Sequence, residues 1–184
     1  MKKTAQAQAK GFTLVELLVV IAIIAILAAV VVLIINPLEL TRRGRDAARL
    51  TDLANLQNAI NVAAQEATSS GTDILCVGGL TAGACTGKST DGNQRVTDGS
   101  GWVKVNLGAQ QSVSVPTLPV DPTNSTALHY TYCSDGTGWE INAALESQQQ
   151  DDKMVNDGGD ELTRYEVGST LSLISSTGTP LCTY

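Results

Sequence analysis

The sequence predicts an α+β fold: a long N-terminal α-helix, apolar in its first half and amphipathic in its second, packed on a small antiparallel β-sheet. Three observations carry this. Leu17 to Ile35 are 19 consecutive apolar residues. After them Leu50, Leu53, Ala54, Leu56, Ala59, Ile60, Ala63, Ala64 and Ala67 recur at spacings of three and four, the period of a helix with one buried face. Beyond Thr68 that period is lost, and short β-branched or aromatic runs alternate with glycine-rich breaks, as strands and turns do.

The apolar run, as a helix, spans about 28 Å, close to the hydrocarbon thickness of a bilayer. It therefore reads as a membrane helix. A secretory signal peptide also begins with lysines, but its apolar stretch is about 7–15 residues and ends at a small-residue cleavage site. Here the run is longer and leads into Asn36-Pro37 and a further helical pattern. Lys2, Lys3 and Lys10 precede it and Arg42, Arg43, Arg45 and Arg49 follow it, so flanking charge leaves the orientation open. A helix from Phe12 to about Ala67 measures about 84 Å. That is too long for a membrane alone, so its outer half needs the sheet as partner. Pro37 is expected to kink or melt it, with Gly44 able to extend the melted segment.

In the rest of the chain, Ser69-Ser70-Gly71-Thr72 reads as the helix end and the following thirty residues as a mostly irregular excursion. Strands are expected at Trp102 to Leu107, Ser112 to Val115, Leu128 to Cys133 and Gly138 to Leu145, and more weakly at Arg164 to Val167 and Leu171 to Ile174. Pro116, Pro119 and Pro122 suit a rigid connection between strands. No internal repeat is visible.

Composition narrows the function. The 184 residues suit one domain with an appendage and exclude a multidomain machine. Downstream of Ser134, nine carboxylates face two bases, so this part would repel a phosphate backbone, and nucleic-acid binding is not expected. His129 is the single His, and no nucleophile–base pair or phosphate-binding glycine loop can be assembled; no catalytic residues are assigned, and the chain reads as no enzyme. Four Cys, if their domain lies outside the membrane, suggest two disulfides among Cys76, Cys85, Cys133 and Cys182. Cys76 and Cys85 are near enough to staple a local loop, and three connectivities are open. No Cys-x-x-Cys occurs to suggest zinc.

One charge interrupts the apolar segment. Of the 24 residues from Phe12 to Ile35, 22 are apolar, and the exceptions are Thr13 and Glu16. An unpaired carboxylate at that depth costs on the order of 2–3 kcal/mol. Its flanks are Lys10-Gly11-Phe12-Thr13-Leu14-Val15-Glu16, which resemble the type IV prepilin signature: a short basic leader ending in Gly, then Phe-Thr-Leu-x-Glu opening a hydrophobic helix. The resemblance covers about the first 56 residues and places the chain with type IV pilins and the pseudopilins of type II secretion.

It implies a pilin-like lollipop, with residues 1–11 as leader, 12–37 as transmembrane and filament-core helix, 38–68 as its amphipathic continuation and 69–184 as the extracytoplasmic domain. A prepilin peptidase would cut after Gly11 and methylate the new amine of Phe12. Glu16 would set registry by neutralising the Phe12 amine of a neighbouring copy. Pro37 lies a few residues deeper than is usual in the family. The implied partners are further copies of itself or related pilins, the peptidase, and the assembly platform and ATPase. The implied location is the cytoplasmic membrane, single-pass, then a periplasmic or cell-surface filament. The rival is a membrane-anchored binding protein or enzyme that works without assembly. The favoured disulfides are Cys76 with Cys85 and Cys133 with Cys182, the second resembling the bridge that closes the C-terminal loop of many pilins. Some pseudopilins also hold calcium in that region. Here the acidic run from Asp151 to Glu161 has a solvated loop as its default reading, with Asp151, Asp152, Asp157 and Asp160 as the candidate ligands and no cofactor otherwise implied. Asn124-Ser125-Thr126 fits a glycosylation acceptor, a short pattern common by chance.

Overall fold

The computed structural model describes residues 11–67, 71–92, 95–112, 114–176 and 180–184. The chain divides into two compact units, Met1–Leu40 and Thr41–Tyr184. The expected leader residues 1–10 and the helix-ending Ser69-Ser70 lie outside the described residues.

In the first unit, α1 runs Leu14–Ile34 over 21 residues, and none of its residues is buried. It is long and apolar enough to cross a membrane. The helix ends where the Ile35 N–H reaches Val31 O at 3.0 Å. Pro37 then opens α2, Pro37–Glu66. The first helical position suits Pro, because its missing N–H would have no helical partner there. Asn36 accepts the Glu39 N–H on its side chain at 3.4 Å, as a cap does. The long helix expected from the sequence is thus interrupted at Ile35-Asn36, directly before Pro37, where the sequence predicts a kink or melted turn. Gly44 sits inside α2 and does not widen the break.

In the second unit α2 turns Leu53, Leu56, Ala59, Ile60 and Ala63 into a core shared with Trp102, Val103, Val105, Leu107, Leu118 and the sheet. The sheet has four strands, β1 Cys85–Lys88, β2 Tyr130–Ser134, β3 Trp139–Ala143 and β4 Tyr165–Gly168, in that spatial order with every pair antiparallel. Tyr132, Ile141 and Val167 stand opposite one another across β2, β3 and β4 and belong to the core shared with α2. Tyr130 donates to Asp52 of α2 at 2.9 Å, and Tyr132 to Leu75 O at 2.7 Å, so both buried hydroxyls are satisfied. Short helices α3, Gly71–Leu75, and α4, Asp151–Val155, complete the unit.

Every residue of β2 and β3 is buried. Strand residues alternate between faces, so the sheet is covered on both sides. The second cover is the C-terminal stretch: Leu173, Ile174 and Cys182 cluster with Cys133, and Tyr184 packs against them.

Four expectations need correction. Trp102 to Leu107 is not a strand: it forms no ladder with another segment, and Asn106 makes only an isolated bridge to Asp98. Among the described residues of the expected strand at Ser112 to Val115 no strand forms, and Leu171 to Ile174 makes one bridge, Ile174 to Cys182. Conversely, β1 lies in the stretch read as irregular. Its sequence, Cys-Thr-Gly-Lys, has no apolar alternation. It is an edge strand because Gly87 lets its backbone lie directly on the backbone of Trp102, where a Cβ would strike the Trp102 carbonyl.

Candidate functional site

The motif residues lie at the start of α1. Gly11, Phe12 and Thr13 precede the helix and are exposed. Thr13 is the N-cap: its hydroxyl oxygen accepts the Glu16 N–H at 3.2 Å, while the Glu16 carboxylate accepts the Thr13 N–H at 2.8 Å and the Thr13 hydroxyl at 2.7 Å. This reciprocal capping box satisfies two of the donors that any helix start leaves open. It also gives the one carboxylate of the apolar segment two bonds and a place at the positive end of the helix dipole. The Gly11–Phe12 peptide bond lies just ahead of the cap, in non-helical backbone.

The second unit contains a charge cluster that the sequence reading did not identify. Arg49, fully buried, donates from Nε to Asp121 Oδ2 at 2.6 Å and from Nη2 to Asp121 Oδ1 at 3.0 Å, a two-pronged pair. It also meets Asp46 at 2.8 Å and Glu146 at 2.9 Å, and Glu146 binds Arg45 as well. Asp46 accepts the N–H groups of Glu146 and Ser147 and the Ser147 hydroxyl. Burial alone would lower the pKa of Arg49; its bonds to Asp121 and Glu146 reverse this and hold it raised. Burial likewise opposes the charge on Asp46 and Glu146, but the hydrogen bonds prevail and both stay lowered. The cluster ties α2 to the turn at Asp121 and to the loop after β3. Its signal in the sequence was Asp46-x-x-Arg49, one helical turn apart, inside the basic run after the apolar segment; its partners 72 and 97 residues away had none.

The four cysteines form Cys76–Cys85 and Cys133–Cys182. The first joins the residue after α3 to the first residue of β1; the second joins β2 to the C-terminal stretch. Of the calcium candidates, Asp152 and Asp157 line one groove. Asp151 and Asp152 open α4, and Asp157 accepts the N–H groups of Gly159 at 3.0 Å and Glu166 at 2.8 Å. Among the described residues no three His, Cys, Asp or Glu side chains are arranged to hold a metal ion. His129 is buried ahead of β2 with Nδ1 3.2 Å from Ser125 O, and burial lowers its pKa. Asn124 donates to Ser89 O at 3.0 Å and accepts from the Ser89 hydroxyl at 2.7 Å, so the amide of the glycosylation pattern is already engaged.

The model of the prokaryotic N-terminal methylation motif matches residues 7–32. This is the type IV pilin and pseudopilin signature, and it takes in Gly11, Phe12, Glu16 and all but the last two residues of α1. No curated protein and no solved structure matches the chain.

Proposed function

We propose that the chain is a structural subunit, pilin or pseudopilin, of a type IV pilus-like filament. A prepilin peptidase cuts it after Gly11 and methylates the amine of Phe12. The subunit waits in the cytoplasmic membrane with its second unit outside, and an assembly platform and ATPase move it into a filament of like subunits. The role is structural and uses no cofactor.

The observation that carries this reading is the methylation motif set on a helix of 21 residues with no buried residue and one carboxylate. In a bilayer such a surface is solvated by lipid; in a filament it is covered by the same helix of neighbouring copies. Cutting after Gly11 leaves Phe12 one residue ahead of the N-cap, its new amine close to the capping box. Glu16, which in the single chain binds Thr13, then meets the amine of a neighbour. In low dielectric that pairing is worth far more than in water, and it forms only at one stagger.

The test is Glu16→Ala in the native host. Membrane insertion and folding of the second unit stay unchanged while filaments disappear. Normal filaments from the variant would sink the registry role.

A further inference from the structure

The face of the sheet turned away from α2 carries Thr131, Glu140, Asn142 and Glu166. Thr131, Asn142 and Glu166 stand opposite one another across β2, β3 and β4, and Glu140 is two residues from Asn142 on the same face. All four are buried. One oxygen of each carboxyl holds the chain that covers this face: Glu140 Oε2 accepts the N–H groups of Leu173 at 2.8 Å and Ile174 at 3.1 Å, and Glu166 Oε2 accepts that of Glu161 at 3.1 Å. The other oxygens, Oε1 of Glu140 and Oε1 of Glu166, have no partner among the described residues, and the register, with Glu140 opposite Gly168 and Glu166 opposite Asn142, makes the two carboxyls diagonal neighbours on this face. Two buried carboxylates side by side strongly disfavour being ionised together, and a neutral one has a hydrogen to donate.

We propose that Glu140 and Glu166 share one proton, and that this proton is the latch holding Glu161 and the Leu173-Ile174 stretch against the sheet, so that alkali opens the C-terminal face of the subunit. Without it two like charges meet in a buried interface, and relief comes from letting go of the Glu161, Leu173 and Ile174 amides.

The surrounding charges do not supply a substitute. Asp157 binds the Glu166 N–H, and its charge, with that of Asp160 near Glu140, opposes ionisation of the pair. Glu161 is spent on Thr163, Ser176 and Tyr184. Arg164, two residues before Glu166 on β4, has its guanidinium carbon 3.7 Å from the centre of the Tyr184 ring. Lys88 is at the far end of the Thr131 row, and His129 precedes β2. From α4, Asp152 and Lys153 line a groove of about 420 Å³ that reaches Glu166 and gives solvent a path to the pair. Burial, then the bond to Glu140, pushes the Glu166 carboxyl up to about 9, against about 4.3 in an unfolded chain. A group raised in this way stabilises the fold fully below its unfolded pKa and loses that contribution as pH climbs toward the folded one.

Thermal unfolding of the full chain in detergent, from pH 5 to pH 10, tests the latch on the native protein and on Glu166→Gln, whose amide supplies the missing N–H without a titrating proton. The native melting temperature is expected to fall across this range. The variant matches it near pH 5 and exceeds it by roughly 5 °C or more at pH 9. Glu140→Gln behaves alike, and amide protection at Leu173 and Ile174, taken relative to the intrinsic base-catalysed exchange rate, falls in alkali in the native protein alone. A variant less stable than native throughout, a gain that is equal at every pH, or failure of both single variants to fold overturns the proposal. So does a rise in native melting temperature on adding calcium that Glu166→Gln abolishes, since the pair would then be a cation site.

Discussion

Arg49 and Asp121, 72 positions apart, meet through two parallel hydrogen bonds in a fully buried setting, with Asp46 and Glu146 completing the guanidinium's partners. Removing the cation leaves Asp46 and Asp121 without their positive partner and Glu146 with Arg45 alone. Arg49→Ala is therefore expected to destabilise the second unit by about 3–5 kcal/mol, read from denaturant unfolding of the full chain in detergent. Arg49→Lys recovers little of this, because a single ammonium cannot reproduce the fork that engages Asp121. A lysine variant as stable as the native protein would show that the geometry contributes nothing beyond charge.

The two disulfides should differ in weight. Cys133–Cys182 closes a separation of 49 residues and Cys76–Cys85 one of 9. Chain-entropy arithmetic gives about 4 kcal/mol for the first and about 3 for the second. The double variant Cys133→Ser/Cys182→Ser should melt lower than Cys76→Ser/Cys85→Ser. The reverse order would mean that the local staple, by fixing β1 to the sheet edge, outweighs the long loop.

Acid should unfold the second unit through specific carboxylates. Burial works against the charge of Glu161, but the hydroxyls of Ser176, Thr163 and Tyr184 and the Ser176 N–H bring its pKa down to about 2. A lowered group contributes stability that is present above its unfolded pKa and lost as pH falls through the folded one. Asp46 and Glu146 are lowered as well. The melting temperature is expected to fall from about pH 4.5 toward pH 2, and Glu161→Gln should flatten part of that slope. With Glu166 acting in the opposite sense, maximal stability is expected near pH 5 rather than at neutrality.

Gly87 is a backbone requirement and Gly92 is not. A Cβ at Gly87 strikes the Trp102 carbonyl, whereas at Gly92 it meets open space. Gly87→Ala should cost about 1–3 kcal/mol by displacing β1, and Gly92→Ala about none. Equal stability of the two variants would show that β1 can move off Trp102 without loss.

Much of this architecture is legible in local pattern. The apolar run locates α1, the three-and-four spacing locates the buried face of α2, and aromatic alternation at Tyr130 and Tyr132 and at Trp139 and Ile141 locates the two central strands. The misses share one cause: they depend on partners distant in sequence. β1 pairs only because β2 and Trp102 are where they are. Trp102 to Leu107 has strand composition but pairs with neither edge of the sheet, and its apolar residues fill the core from irregular chain. Arg49 carries no mark of burial in its own neighbourhood, and Glu140 and Glu166 read as surface carboxylates until the register puts them on a covered face. The motif at Gly11, Phe12 and Glu16 was legible in full, because its chemistry resides in contiguous residues. The capping use of Glu16 was missed, although Thr13 three residues before Glu16 is the pattern that announces it.

The central claim is processing at the head of α1, and mass spectrometry of the N-terminal peptide from native host material tests it most directly. The account predicts a chain that begins at Phe12 and carries one methyl group on its amine, with no peptide spanning Gly11–Phe12. A chain that retains residues 1–11 in the assembled fraction, or begins anywhere beyond Phe12, would contradict it.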